Sequence, residues 1–268
     1  MMHKIHKALG DRFVWLVADA LTMVERNMIR YVRLPQLLVF STIQPVMFLL
    51  LFTYVFGGAI QTGSGEYINY LLPGILVQTA VFGAITTGIG LAEDLAKGLI
   101  DRFRSLPMAR SAVLAGRTIA DMMRNIFVVL LMLAVGYLIG FRLEGTLSDS
   151  ITAFMLLLLF GFAFSWVSAT IGMLSKNVET AQVLGFIWVF PLVFASAVFV
   201  PVESMPTWLR TFAEINPVTV TVDAVRALAL GGVPDETTSR YVWATLAYIV
   251  GILAVFMPLA VRLYRRSV

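Results

Sequence analysis

The sequence predicts an all-α integral membrane protein with six transmembrane helices, and three observations lead there. Of 268 residues, 59% are hydrophobic and 13% charged, against roughly 25% charged in a soluble domain. Several apolar runs exceed the roughly 20 residues a helix needs to cross the hydrocarbon core. The runs are also continuous, whereas a barrel strand alternates over about ten residues. Two units follow: an N-terminal amphipathic interfacial helix over residues 1–34 and a six-span transmembrane domain over 35–268.

Composition narrows the chemistry. The absence of cysteine removes disulfides and thiolate metal sites, and the two histidines, His3 and His6, lie in the N-terminal tail. The net charge of +4 suits loops facing anionic lipid better than nucleic acid. No signal peptide is expected, because the first hydrophobic run follows thirty-odd amphipathic residues and is too long for an h-region.

Residues 11–33 read as an amphipathic helix. Arg12, Asp19, Arg26 and Arg33 recur every seven residues with Arg30 beside them; Phe13, Leu16, Val17, Val24, Met28 and Tyr31 supply the apolar side. Such a helix lies in the membrane interface. Pro35 opens the first span, 36–57, and Pro45 near its middle removes a backbone hydrogen bond. The second span, 68–92, carries Gly74, Gly83, Gly88 and Gly90, small residues that let helices pack closely in lipid.

The third span, 111–141, is longer than a bilayer core of about 30 Å requires, so its first turns protrude. Arg117, Asp121 and Arg124 share one face there, and Asp121 can pair with either arginine. Placement of this trio at the cytoplasmic interface is cheaper than burial in the membrane. After the turn FRLEGTLSDS comes span four, 151–174. The link SKNVE leads to span five, 180–200, which contains Pro191. Residues 201–232 read as two short helices, the first started by Pro206 and ended at Asn216-Pro217, the second stopped by Gly231-Gly232. Both are too short and charged to span, and read as a re-entrant or surface-lying pair. Span six is 240–261.

Alternating sides along these spans puts sixteen of the twenty Lys and Arg on one face. The positive-inside rule makes that face cytoplasmic, with both termini and residues 93–110 on it.

The sequence offers no nucleophile–base constellation, no HExxH and no paired intramembrane carboxylates, so enzymatic hydrolysis has little to work with. Proton-coupled carriers need ionisable residues deep in the spans, and only Asp121 comes near. There is no filter-like motif and no GxxxxGK[ST] phosphate loop. What remains is a transport body whose ATP is handled by another chain, with an ATP-independent channel or secondary carrier as the alternative. The stretch EDLAKGLIDRFRSLPMAR, Glu93 to Arg110, holds three acids and four bases between two apolar runs. Leu95, Leu99, Phe103 and Leu106 form a stripe at helical spacing, and Glu93–Lys97 and Lys97–Asp101 are i,i+4 pairs. A helix on the membrane surface, ended by Pro107, fits that pattern, and so does a plain solvated loop.

The run GLIDRFRSLPMARSAVLAGR, Gly98 to Arg117, closely resembles the cytoplasmic segment of type-2 ATP-binding-cassette exporter permeases, most of all the daunorubicin-resistance group of antibiotic and lipid exporters. RYVRLPQ (Arg30 to Gln36) and PVESMPTWLRTFAEINPVTVTVDAVRAL (Pro201 to Leu228) extend the resemblance over nearly the whole chain. The residues before Gly98 depart from it, with LAK where the wider group carries an acidic-basic-acidic run. The resemblance implies a non-catalytic permease in the cytoplasmic membrane, paired with a second copy or a homologous permease and with two ATPase subunits. ATP and magnesium would bind those subunits and no cofactor would bind this chain. A hydrophobic drug or lipid would be the substrate. Glu93, Asp94, Lys97, Gly98, Asp101, Arg102 and Phe103 would form the ATPase-coupling surface. Pro206, Asn216, Pro217, Asp223 and Arg226 would belong to extracellular gate helices. For the cavity, the aromatic residues Phe154, Phe160, Trp166, Phe186, Trp188 and Phe190 are the candidates, since ligand sites are mostly apolar.

Overall fold

The computed structural model describes residues 18–29, 31, 33, 35–60, 66–98, 110–231 and 233–266, and within them every regular element is helical. Helix α1 covers residues 18–29. It is followed by α2 (Pro35–Leu51), continued by a π turn (Phe52–Phe56), then α3 (Tyr67–Ala96) and α4 (Arg110–Leu138). Next come α5 (Leu147–Leu174), α6 (Val178–Phe194), a 3₁₀ turn (Val202–Ser204), α7 (Thr207–Ile215), α8 (Pro217–Leu230) and α9 (Asp235–Arg266).

Four helices, Tyr67–Ala96, Val113–Leu138, Leu147–Leu174 and Asp235–Tyr264, are long and apolar enough to cross a membrane. The first and fifth expected spans correspond to the shorter apolar helices Ser41–Phe56 and Val178–Phe194. Expected ends also shift. The second span does not stop at residue 92: α3 carries Glu93 and Asp94 in its last turn. The fifth stops at Phe194 rather than 200. Beyond it the chain turns while buried, because side chains satisfy its backbone. Ala197 N donates to Thr219 Oγ1 at 3.1 Å, Tyr70 donates to the Ala197 carbonyl at 3.1 Å and Tyr67 to that of Phe199 at 2.8 Å. Irregular backbone inside a membrane protein survives only with such partners.

Helix α3 is the axis. Every residue from Tyr70 to Val81 is buried, and α3 packs on α5, α6, α4, α8 and α2. It is apolar on nearly all sides, the pattern of an interior helix. Gly74 and Gly88 bring it close to its neighbours: a Cβ on Gly74 would lie 2.4 Å from Val198 O, and one on Gly88 2.4 Å from Ser168 O. Helix α9 is the opposite case, exposing Trp243, Val250, Val255 and Met257. Short helix starts are set locally. Thr146 and Asp149 form a capping box on α5, and Asn177 caps α6 through Thr180 N at 2.8 Å.

The inner face of α1, expected to rest on lipid, packs on protein along Ala20, Met23, Val24, Asn27 and Tyr31. Met23 joins a small core with Leu91, Leu114, Trp166 and Ala260, separate from the main core around α3.

Candidate functional site

Between α1, α2, α3, α4 and α6 lies a cavity of about 360 Å³, within the size range of small-molecule sites. Phe48, Phe82, Ile85, Ile89, Val128 and Phe186 form its apolar wall; its polar wall includes Gln44, Gln78, Asn125 and Gln182 with Arg117 and Arg124.

The two arginines belong to an ion lattice built outward from Asp121, which is 1% exposed. Tyr31 donates to Asp121 Oδ1, and Thr87 donates to Oδ2 at 2.5 Å. Arg117 Nε lies 3.8 Å from Oδ2 and Arg124 Nε 4.0 Å from Oδ1. Arg117 also reaches Asp94 at 3.5 Å, and Arg26 of α1 reaches the other Asp94 oxygen at 3.7 Å. One Arg124 amine donates to Gly83 O at 2.9 Å and Thr86 Oγ1 at 3.1 Å. Two glycines of α3 make the room. A Cβ on Gly90 would sit 1.6 Å from Arg117 Nη2, and one on Gly83 would sit 2.5 Å from Asn125 Oδ1 and 3.2 Å from Arg124 Nη2. So Gly83 and Gly90 serve the site, while Gly74 and Gly88 serve packing.

The pairing expected of Arg117, Asp121 and Arg124 is present, but the trio is not exposed at an interface. All three are buried among α1, α3 and α4, because carboxylate, guanidinium and hydroxyl partners from three helices compensate the lost hydration. Asp94 turns inward into the same lattice, 4% exposed, rather than outward onto a docking surface. Glu93 and Lys97 pair at 2.6 Å at the α3 end. Gly98 ends the helix with φ +63, a left-handed turn with open space around it. Asp101, Arg102 and Phe103 lie outside the described residues, as do Leu99 and Leu106 of the expected stripe.

Of the six aromatic candidates, Phe186 lines the cavity. Phe160 and Trp166 are fully enclosed in the core. Phe154 and Trp188 pack against it, Trp188 stacking on Phe164 at 5.4 Å, and Phe190 is exposed. Bulk drew them to the packing core; the cavity instead selects residues that mix polarity. Sequence reading missed Tyr31, Thr87, Gln78, Asn125 and Gln182. For Gln78, Asn125 and Gln182, as for Gln44, the signal was an amide inside an otherwise apolar helix; Tyr31 and Thr87 gave none.

Away from the cavity, along the N-terminal half of α3, the α7–α8 pair is pinned. Asn216 caps α8 through Val218 N at 2.9 Å and donates to Leu192 O at 2.7 Å and Ala195 O at 2.9 Å. Pro217 occupies the first turn of α8 and Pro206 precedes α7, positions where a missing N–H costs nothing. Arg226 donates to Tyr70 O at 3.1 Å, Ala197 O at 2.9 Å and Asp223 at 2.9 Å, its guanidinium 3.7 Å from the Tyr70 ring centre. Burial pushes the Asp223 carboxyl up to about 6, with Arg226 opposing.

The family model described as "ABC-2 type transporter" matches residues 19–230. The chain is 36% identical over 253 residues to the daunorubicin resistance ABC transporter permease protein DrrB1 of Streptomyces coeruleorubidus, covering 94% of this chain and 87% of that protein. It is 27% identical over 255 residues to the probable doxorubicin resistance ABC transporter permease protein DrrC of Mycobacterium tuberculosis, covering 94% and 90%. Over 220 residues it is 28% identical to the putative transport permease ycf38 of Cyanophora paradoxa, covering 80% and 75%.

Proposed function

Because the chain belongs to the ABC-2 type transporter family, we propose that it is the transmembrane permease subunit of an ATP-binding-cassette exporter for hydrophobic or amphipathic molecules. The observation that carries this reading is the drug-sized cavity of mixed polarity, in a chain without a phosphate loop of its own. The resistance named for two of its relatives favours a drug over a lipid as cargo.

The full assembly is two permeases, copies or homologues, with two ATPase subunits that bind ATP and magnesium; this chain is not catalytic. Six spans cross the cytoplasmic membrane, the four long helices together with residues 35–56 and 178–200, and both termini are cytoplasmic. Helix α1 lies along the cytoplasmic interface with one face docked on α4. Glu93, Lys97 and Gly98 lead into the coupling surface, which continues through Asp101, Arg102 and Phe103, while Asp94 anchors its root from inside. Closure of the ATPases moves that surface. The lattice joining α1, α3 and α4 passes the motion to the cavity wall, and the α7–α8 pair with Pro206, Asn216, Pro217, Asp223 and Arg226 gates the outer side. Cargo enters from the inner leaflet and leaves outward.

The test is ATP-dependent accumulation of fluorescent drugs in inverted vesicles carrying the chain and its ATPase. Asp101→Arg should abolish accumulation and substrate-stimulated ATP hydrolysis while leaving the protein inserted. Transport that persists without any ATPase subunit would establish a channel or secondary carrier instead.

A further inference from the structure

The charged lining of the cavity is two guanidiniums against one carboxylate, Glu93. Arg117 and Arg124 line the cavity, whereas Asp94 and Asp121, the carboxylates that neutralise them, do not. Both carboxylates are occupied from behind. Asp121 accepts from Tyr31 and Thr87 and faces both guanidiniums, and Asp94 holds Arg26 and Arg117. Glu93 also lines the cavity, and its carboxylate holds Lys97 at 2.6 Å.

Arg117 is held loosely, whereas one Arg124 amine is fixed on Gly83 O at 2.9 Å. Arg117 makes its contacts at 3.5 to 3.8 Å. Arg124 Nε, on a residue 4% exposed, has no hydrogen-bond partner among the described residues. The apolar wall presents Phe48, Phe82 and Phe186 from three helices, a surface for a flat apolar body.

We propose that this cavity selects amphiphiles with an acidic head, a carboxylate, sulfate or phosphate, seated against Arg124 and Arg117, over cationic ones of the same shape. The proposal rests on the reading of the cavity as the cargo site. It predicts the opposite preference from a cavity lined by free carboxylates. An acidic lipid of the bilayer and a free acidic small molecule share this chemistry.

Three probes of matched body test it with the purified full chain in phosphatidylcholine nanodiscs: pyrenebutyrate, pyrenebutanol and pyrenebutylamine, read by protein-dependent pyrene emission. The acid should bind at least about tenfold more tightly than the amine, the value of one charge-assisted contact. Arg124→Gln should erase that preference by weakening the acid at least about tenfold more than the alcohol. Asn125→Asp, which puts a carboxylate beside the Arg124 amine that Asn125 Oδ1 already meets at 3.4 Å, should likewise abolish the preference by neutralising that guanidinium, and it keeps the test open where Arg124→Gln does not fold. Equal or tighter binding of the amine to the native chain, or an acid preference that survives both substitutions, overturns the proposal while leaving the cavity a binding site. Binding of none of the three overturns the cargo-site reading with it. Repeating the titration with phosphatidylglycerol in the disc separates the sources. Competition assigns the site to acidic lipid and its absence to a free acidic amphiphile, and both outcomes support the acidic head.

Discussion

Arg226 and Arg124 are both arginines largely enclosed against α3, yet one is closed and the other open. Arg226 packs near the start of α3, where fixed backbone carbonyls of Tyr70 and Ala197 and the Asp223 carboxylate take its donors at 2.9 to 3.2 Å over an aromatic ring. Arg124 lies further along, faces a cavity, and keeps its Nε without a hydrogen bond. Burial alone therefore does not mark a functional charge. What separates a lock from a site is whether protein acceptors use up the donors.

The largest effect tests the open region. Asp121→Ala leaves Arg117 and Arg124 buried without their shared carboxylate, which should cost about 3–5 kcal/mol, read as thermal unfolding in detergent. A smaller loss would mean that the arginines simply swing into the cavity and hydrate. Next comes the closed region: Arg226→Ala should cost about 2–3 kcal/mol for the lost charged hydrogen bonds. It should leave the acid-over-amine preference intact, and a changed preference would merge the two regions.

The glycines divide the same way. Gly74→Ala drives a methyl against the Val198 backbone, which cannot yield cheaply, and should cost about 1–3 kcal/mol. Gly90→Ala meets the flexible end of Arg117 instead. It should cost less stability in the same unfolding assay and show itself mainly as weaker pyrenebutyrate binding. The smallest effect is in pH. Asp223 has its carboxyl raised from 3.8 to about 6 by burial, so the folded protein holds a proton that the unfolded chain has already released. Stability should fall as pH rises from about 4 to about 6 and level off above, where the folded carboxyl has released its proton as well. Asp223→Asn should flatten that profile in a melting series across pH.

Much of the fold was legible. The short α7–α8 pair follows from Pro206, Asn216-Pro217 and the Gly231-Gly232 stop. The i,i+4,i+7 spacing placed Arg117, Asp121 and Arg124 together. Less legible were the partners that bury them: Tyr31 is 90 residues from Asp121 and Thr87 is 34, and no local pattern links such positions. Of the six aromatic candidates Phe186 lines the cavity, and size did not single it out, since bulk predicts burial but not which void a ring faces.

By itself the sequence determined that this chain enters a membrane, where its helices begin and end to within a few residues, and which loops carry positive charge. These are one-dimensional properties, set by hydropathy, caps and backbone hydrogen bonds closed within each helix. Only the tertiary structure decided the rotation of α3, α5 and α6 about their axes. A helix apolar on every side has no periodicity to announce its inner face. The turn of Asp94 inward and the cradle at Gly83 and Gly90 follow from that rotation.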